Sequence, residues 1–155
     1  MSAYFFDSSA LVKRYVREKG TDLVKAIIDP DAANEIYIAR ISGAEVVAAI
    51  ARRGRSGDLD KESIRRAVGQ FRLEFERLYR VIEVTPGIVS RAMDLALKHG
   101  LRGYDAVQLA AALAVEEVRK GMLMESLILV SSDSELNKAA LRENLEVEDP
   151  NLMEG

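Results

Sequence analysis

Apolar residues are distributed along the chain in two alternating patterns. Short continuous apolar runs predict strands at residues 3–7, 35–39, 80–84, 127–131 and 145–148. Apolar residues spaced three and four apart predict helices at 8–17, 21–28, 42–53, 60–78, 85–98, 103–120 and 133–142. Strands that alternate with helices predict an α/β fold, with three layers (α/β/α) around a central, mostly parallel sheet of four to five strands.

Turn-forming residues support this division of the chain. Asp29-Pro30 ends the second helix, and Gly54 is expected to end the third. Thr85-Pro86 places a cap and a first-turn proline at the start of the fifth. Since no repeat, low-complexity tract or flexible linker interrupts the pattern, residues 1–155 are predicted to form a single domain.

The composition limits the chemistry that the chain can perform. Cysteine is absent, which excludes disulfides and thiolate nucleophiles, and His99 is the single histidine, which excludes a histidine-rich zinc site. Any catalysis must therefore depend mainly on carboxylates, lysines, hydroxyls or a metal ion. The first residues do not form a signal peptide, and no apolar stretch approaches the roughly 20 residues that span a bilayer, so a soluble, cytoplasmic protein without a membrane partner is expected.

Four acidic residues lie where predicted strands and helices meet. Asp7 and Asp133 follow the first and fourth strands, and Glu45 and Asp105 fall in the first turns of helices. Each has an ordinary structural explanation, because carboxylates at helix N-termini cap backbone N–H groups and interact favourably with the helix dipole. As a set they also suggest a metal site, since parallel sheets bind ligands at the carboxyl ends of their strands and Mg²⁺ prefers oxygen ligands. Spacing alone leaves both explanations open.

Four segments around these acids resemble one known family. They are residues 4–13 around Asp7, 42–50 around Glu45, 101–110 around Asp105 and 129–136 around Asp133. In this order and at these separations they resemble the PIN-domain (PilT N-terminus) nucleases, and they are most similar to toxins of the virulence-associated protein C type. The resemblance extends over nearly the whole chain and implies a PIN-like form of the three-layer fold.

The resemblance also implies an activity and a set of site residues. The chain would be a metal-dependent endoribonuclease, and the toxin of a toxin–antitoxin pair. Its catalytic residues, which would also be its metal ligands for Mg²⁺ or Mn²⁺, would be Asp7, Glu45, Asp105 and Asp133. The metal would activate water for attack on an RNA phosphodiester.

Further expectations concern neighbours of the acids and partners of the protein. The hydroxyls of Ser9 and Ser131 would hydrogen-bond to a ligand carboxylate. The family implies an antitoxin partner and a homodimer. An arginine of the antitoxin could enter among the acids and displace the cation, because a guanidinium pairs well with carboxylates.

An antitoxin segment would need an apolar groove on the toxin. The predicted groove walls are the helix segment 46–50 and the side chains of Leu11, Val12, Tyr15 and Leu23. The same positions have the spacing of core residues, so burial inside the protein is the alternative.

The charge of the chain is uneven. The net charge is −3, yet residues 50–80 contain nine Lys/Arg against five Asp/Glu, a net charge of +4. This segment could steer an RNA backbone toward an acidic site, although any solvated helix pair can have the same composition. The residues predicted to contact RNA are Arg52, Arg53, Arg55, Arg65 and Arg66.

Other functions compete with that of a toxin. A housekeeping RNA-processing PIN nuclease and a non-catalytic PIN-fold interaction module are the main alternatives. A phosphatase of the dehalogenase type is disfavoured because Ser9 stands where its second aspartate would lie. A receiver domain is disfavoured because the acid after the first strand is single.

Overall fold

A parallel sheet forms the centre of the molecule, which a computed structural model describes for residues 2–152. Its strands are β1 (Ala3–Phe6), β2 (Glu35–Ala39), β3 (Arg80–Ile82), β4 (Leu127–Val130) and β5 (Glu146–Glu148). Their order is β3-β2-β1-β4-β5, and each neighbouring pair is parallel. The chain runs from β1 to one edge and then crosses to β4, so the topological switch point lies between β1 and β4.

Helices cover both faces of this sheet, as the sequence predicted. They are α1 (Ser8–Leu11), α2 (Thr21–Ile28), α3 (Ser42–Arg55), α4 (Lys61–Arg77), α5 (Pro86–His99), α6 (Gly103–Gly121) and α7 (Ser134–Arg142). One core lies between the sheet and α1–α4 and contains Phe6, Ile38 and Phe71. The other lies between the sheet and α5–α7 and contains Phe5 and Leu129. The predicted three-layer α/β/α fold is confirmed. Met1 and residues 153–155, which belong to the predicted domain, lie outside the described residues.

The first helix is shorter than predicted. Residues 8–17 were expected to be one helix, but α1 ends at Leu11 and a 3-10 turn follows at Val12–Arg14. The reason is Lys13, which is buried and whose Nζ donates to Glu18 Oε1 at 2.9 Å, to the Lys19 carbonyl at 2.8 Å and to Asn151 Oδ1 at 2.9 Å. These three bonds fold the following residues back over the lysine.

Gly54 does not end α3, which continues to Arg55. Its role is steric, because a Cβ at this position would lie 2.1 Å from Ile64 Cδ1 in α4. An alanine here would require the Ile64 side chain to move. The second of these helices is capped by Asp60, whose carboxylate accepts the Ser63 N–H at 2.7 Å.

The predicted groove walls are wrong for three of their residues. Leu11, Val46 and Ile50 are fully buried in the core under α1–α4, where they cannot contact a partner, whereas Val12 packs in the same core and borders an open cleft. Their apolar spacing reflects packing against the sheet, which was the alternative explanation. Among residues 2–152, no helix is long and apolar enough to cross a membrane.

Candidate metal centre

Asp7 lies at the switch point and is the best-anchored acid of the site. It follows β1 and caps α1, where its Oδ1 accepts the Ala10 N–H at 3.1 Å. Ser9 Oγ donates to the same oxygen at 2.7 Å, and Ser131 Oγ, just beyond β4, donates to Oδ2 at 3.0 Å. Both carboxylate oxygens are therefore fixed by hydroxyl donors from neighbouring strand ends.

These hydrogen bonds do not compensate for the burial of Asp7. The residue is 2% exposed. Burial raises its pKa to about 6, despite the opposing hydrogen bonds from Ser9, Ala10 and Ser131, and repulsion by Asp105 adds to the increase. A carboxylate with this environment lacks a nearby positive charge.

Glu45 and Asp105 enter the site from the first turns of α3 and α6. Ser8 Oγ donates to Glu45 Oε2 at 3.3 Å. Partial burial raises the pKa of Glu45 to about 7, and the charges of Asp105 and Asp7 contribute to the increase. The pKa of Asp105 is also raised, first by burial and then by repulsion from Asp133. Each of the four acids therefore repels at least one of the others.

Asp133 lies three residues beyond β4 and caps α7, where its Oδ1 accepts the Leu136 N–H at 3.0 Å. Its own N–H donates to Ser131 Oγ at 3.1 Å, and the neighbouring Ser132 N–H donates to Ser9 Oγ at 3.0 Å. Ser9 and Ser131 thus bind both the Asp7 carboxylate and the backbone that carries Asp133. Their hydroxyls connect the loops after β1 and β4.

The four acids line a single open cleft of about 730 Å³, in which carboxylates, hydroxyls and a few cations surround the end of β1. Besides the acids, the lining consists of Ser8, Ser9, Val12, Lys13, Glu18, Ala49, Arg52, Arg102, Tyr104, Ser132 and Asn151. Their oxygen donors are of the kind that Mg²⁺ and Mn²⁺ bind. Within residues 2–152, however, no three acidic or histidine side chains are grouped closely enough to hold a metal ion. Like charges repel, so a cation would be needed to draw these carboxylates closer together.

Of the five arginines predicted to contact RNA, one lines the cleft and four do not. Arg53 is bound to Glu18 at 2.9 Å and to Asp58 at 3.0 Å. Both Arg65 and Arg66 are exposed and pair with Glu62 along the surface of α4. Arg55 is exposed and does not line the cleft. Arg52 alone among the five lines the cleft, and its guanidinium makes no ion pair with a described residue.

Sequence reasoning overlooked several cleft residues. Arg102 lines the cleft beside Asp105, is exposed and, like Arg52, has no ion pair within residues 2–152. Tyr104 and Gln108 connect the cleft to the core under α6. Gln108 could have been found, because it is the one polar residue between Ala106 and Val115.

Comparisons with known proteins agree with the resemblance seen in the sequence. The chain matches the model of the PIN domain over residues 4–142. Ribonuclease VapC45 and Ribonuclease VapC49 of Mycobacterium tuberculosis are each 39% identical to it over 116 residues, which is 74% of this chain and 78% of each relative.

Solved structures share the fold at low sequence identity. VapBC2 from Rickettsia felis, bound to a DNA fragment from its promoter, aligns with a TM-score of 0.64 at 16% identity, covering 95% of this chain and 98% of that one. PAE2754 from Pyrobaculum aerophilum aligns with a TM-score of 0.65 at 20% identity, covering 98% of this chain and 86% of that one.

Proposed function

The chain belongs to the PIN-domain family, and from this premise we propose that it is a metal-dependent endoribonuclease. The observation that carries the proposal is Asp7, a buried carboxylate with both oxygens fixed and no cationic partner among the described residues. The names of the Mycobacterium tuberculosis relatives support RNA as the substrate.

The proposed metal ligands are Asp7, Glu45, Asp105 and Asp133, whose oxygens suit Mg²⁺ or Mn²⁺. A bound cation supplies the Lewis-acid chemistry of phosphodiester hydrolysis. The chain's own residues prepare the site. Ser9 and Ser131 keep both oxygens of Asp7 in place, and Glu45, whose pKa burial raises to about 7, would hold a cation as the deprotonated carboxylate.

Arg52 and Arg102 are proposed to hold the RNA backbone across this cleft. Arg52 lies beside Glu45 in α3, and Arg102 lies beside Asp105 at the start of α6, so the two guanidinium groups flank the acids. Free guanidinium groups bind phosphate oxygens in a fixed fork.

The toxin of a toxin–antitoxin pair is the proposed biological role. The fold shared with VapBC2 of Rickettsia felis and with a toxin–antitoxin complex from Klebsiella pneumoniae, at a TM-score of 0.55, supports an antitoxin partner. A homodimer and a cytoplasmic location belong to the same proposal. Expression of the chain alone should arrest growth, and coexpression of the adjacent gene should relieve the arrest. Harmless expression of an active enzyme would favour a housekeeping nuclease.

The nuclease activity is tested with a mixed RNA pool. Cleavage should require Mg²⁺ or Mn²⁺, and Asp7→Asn should lose more than the roughly 100-fold that marks the upper range for residues around a metal ligand. Asp60→Asn is the matched control, because Asp60 also caps a helix but lies outside the cleft. Full activity of Asp7→Asn would leave capping as the role of Asp7. No metal-dependent cleavage by the wild type would favour the non-catalytic module.

The RNA path is tested by the salt dependence of binding to a single-stranded RNA that resists cleavage. Each of Arg52→Gln and Arg102→Gln should reduce the slope of log K against log salt by about 0.7, because each releases one phosphate contact. Arg66→Gln, which changes an exposed arginine paired with Glu62, should leave the slope unchanged. Equal slopes for all variants would show that the backbone lies elsewhere.

A further inference from the structure

A chain of side-chain hydrogen bonds runs from the core of α6 to the metal centre. Gln108 is fully buried, and its Nε2 donates to the Tyr104 hydroxyl at 2.7 Å and to Ser42 Oγ at 2.8 Å. The Tyr104 hydroxyl donates to Ser8 Oγ at 3.3 Å, and Ser8 Oγ donates to Glu45 Oε2 at 3.3 Å. Side chains from α6, α1 and α3 are thereby connected in series.

The amide of Gln108 sets the direction in which hydrogen bonds are donated along this series of side chains. An amide nitrogen can only donate, and both N–H groups of Gln108 are used on hydroxyl oxygens. The proton of Tyr104 is therefore free for Ser8, and the proton of Ser8 is free for Glu45. Successive donors in one direction polarise one another and strengthen the last bond.

Gln108 occupies this position at an energetic cost. Its Oε1 is buried and has no hydrogen-bond partner in residues 2–152. A buried amide oxygen without a hydrogen-bond partner destabilises the folded state. Since the surrounding residues of α6 are apolar, packing alone would be served better by a leucine or methionine.

We propose that Tyr104 and Gln108, acting through Ser8, are positioning residues that fix the Glu45 carboxylate for cation binding. Ser8 donates to Oε2, Oε1 of Glu45 has no hydrogen-bond partner among the described residues, and Glu45 lines the cleft, so Oε1 would be the oxygen that binds the cation. The inference rests on the proposed function, because it takes Glu45 as a ligand. It adds three residues that no comparison assigns to the site.

The test measures Mn²⁺ binding by calorimetry, without RNA, together with the melting temperature in EDTA. Ser8→Ala should weaken Mn²⁺ affinity by between 10- and 100-fold, which is about the effect of removing an outer hydrogen bond to a metal ligand. Tyr104→Phe should weaken Mn²⁺ affinity by about 10-fold, the lower end of that range. Ser8→Thr retains the hydroxyl and should restore affinity. Cleavage should recover in both weakened variants at high metal concentration.

Tyr37→Phe is the matched control. Its hydroxyl also donates to a carboxylate, Glu35 Oε2 at 3.2 Å, but Glu35 lies at the amino-terminal end of β2. This variant should bind Mn²⁺ like the wild type.

The outcomes separate the inference from the function on which it rests. Unchanged Mn²⁺ affinity in Ser8→Ala and Tyr104→Phe, with or without a lower melting temperature, would overturn the positioning role alone. Mn²⁺ binding that depends on Tyr104 without any RNA cleavage would overturn the nuclease and leave the positioning role intact. A wild-type protein that binds no Mn²⁺ would overturn both.

Discussion

Two groups of partly buried carboxylates in this molecule have opposite electrostatic surroundings. In one, Glu74 of α4 accepts two hydrogen bonds from Arg14, at 3.0 and 2.9 Å, and one from the Tyr15 hydroxyl at 2.7 Å. Burial raises the pKa of Glu74, but these donors outweigh burial and lower it below its ordinary value. In the other, at the end of β1, Asp7 accepts three hydrogen bonds and its pKa is nevertheless raised.

The two groups differ in positive charge, and Asp7 is also more deeply buried than Glu74. Asp7 accepts three hydrogen bonds and Glu74 four, counting one from Gln70 at 3.5 Å, but every donor to Asp7 is a neutral hydroxyl or amide group. Hydrogen bonds alone therefore do not stabilise a buried carboxylate beside other acids, whereas a guanidinium does. The comparison identifies a cation as the partner that Asp7 lacks among the described residues, which is the physical basis of the proposed metal site.

Removing the cation from the Glu74 group should produce the largest change in stability. Arg14→Met keeps much of the apolar stem but leaves Glu74 unpaired beside Tyr15, so the free energy of unfolding should fall by about 2–3 kcal/mol. Denaturation in urea measures the change. Arg65→Met, at an exposed pair, should cost under about 1 kcal/mol. A similar loss of stability in both variants would show that the buried Arg14–Glu74 pair is no more important than an exposed pair.

The stability of the metal-free protein should depend on pH with opposite signs for the two groups. The pKa of Asp7, about 6, lies above the ordinary 3.8, so the folded state binds this proton more tightly and stability falls as pH rises from about 4 through about 6. The expected loss is about 1–3 kcal/mol. Glu74, with a lowered pKa, contributes stability above its ordinary pKa of 4.5 that is lost as pH falls below it.

Denaturation in EDTA across about pH 4 to pH 8 measures this dependence. Asp7→Asn should flatten the decline toward neutral pH, because it removes the buried charge, and should leave the loss at acidic pH unchanged. A wild-type protein whose stability rises between about pH 4 and pH 7 would contradict the assignment of Asp7.

Addition of a divalent cation should stabilise the carboxylates of the cleft, as Arg14 stabilises Glu74. At a free Mn²⁺ concentration about ten times its dissociation constant, the free energy of unfolding should rise by about 1.4 kcal/mol. Asp7→Asn should lose this gain, and Asp60→Asn should keep it. An equal rise in both variants would indicate nonspecific binding.

The smallest expected effect is that of Glu45→Gln in the metal-free protein. Glutamine removes one of the repelling charges, so stability at about pH 8 should increase by about 0.5 kcal/mol even as metal binding is lost. A destabilised variant would mean that the Glu45 charge itself supports the fold.

Two of the four acids that line the cleft, Asp7 and Asp133, could be placed there from the sequence because strand ends are visible in it. Asp7 directly follows an apolar run, and parallel strands bring their carboxyl ends to one edge of a sheet. The arginines could not be sorted in the same way. Arg53 pairs with Glu18, which lies 35 residues earlier, so only the folded chain shows that Arg53 is occupied and Arg52 is free.

The short α1 illustrates a second limit of the sequence. Apolar spacing predicted a helix through residue 17, but the buried ammonium group of Lys13 takes acceptors from 5, 6 and 138 residues away. A lysine is ordinarily placed on a solvated face, and no local pattern indicates that this one turns inward. Sequence periodicity therefore predicted the element but not its end.

The hydrogen bond between Ser131 and Asp7 joins residues that lie 124 positions apart. β1 is the first strand to be synthesised, yet its neighbour β4 is made after six of the seven described helices. During translation the growing chain carries Asp7, Glu45 and Asp105 long before the serine that orients the first of them leaves the ribosome. Contacts of this range form late. The order of the strands therefore delays the pairing of β1 with β4, and the Ser131–Asp7 hydrogen bond with it, until most of the chain has been synthesised.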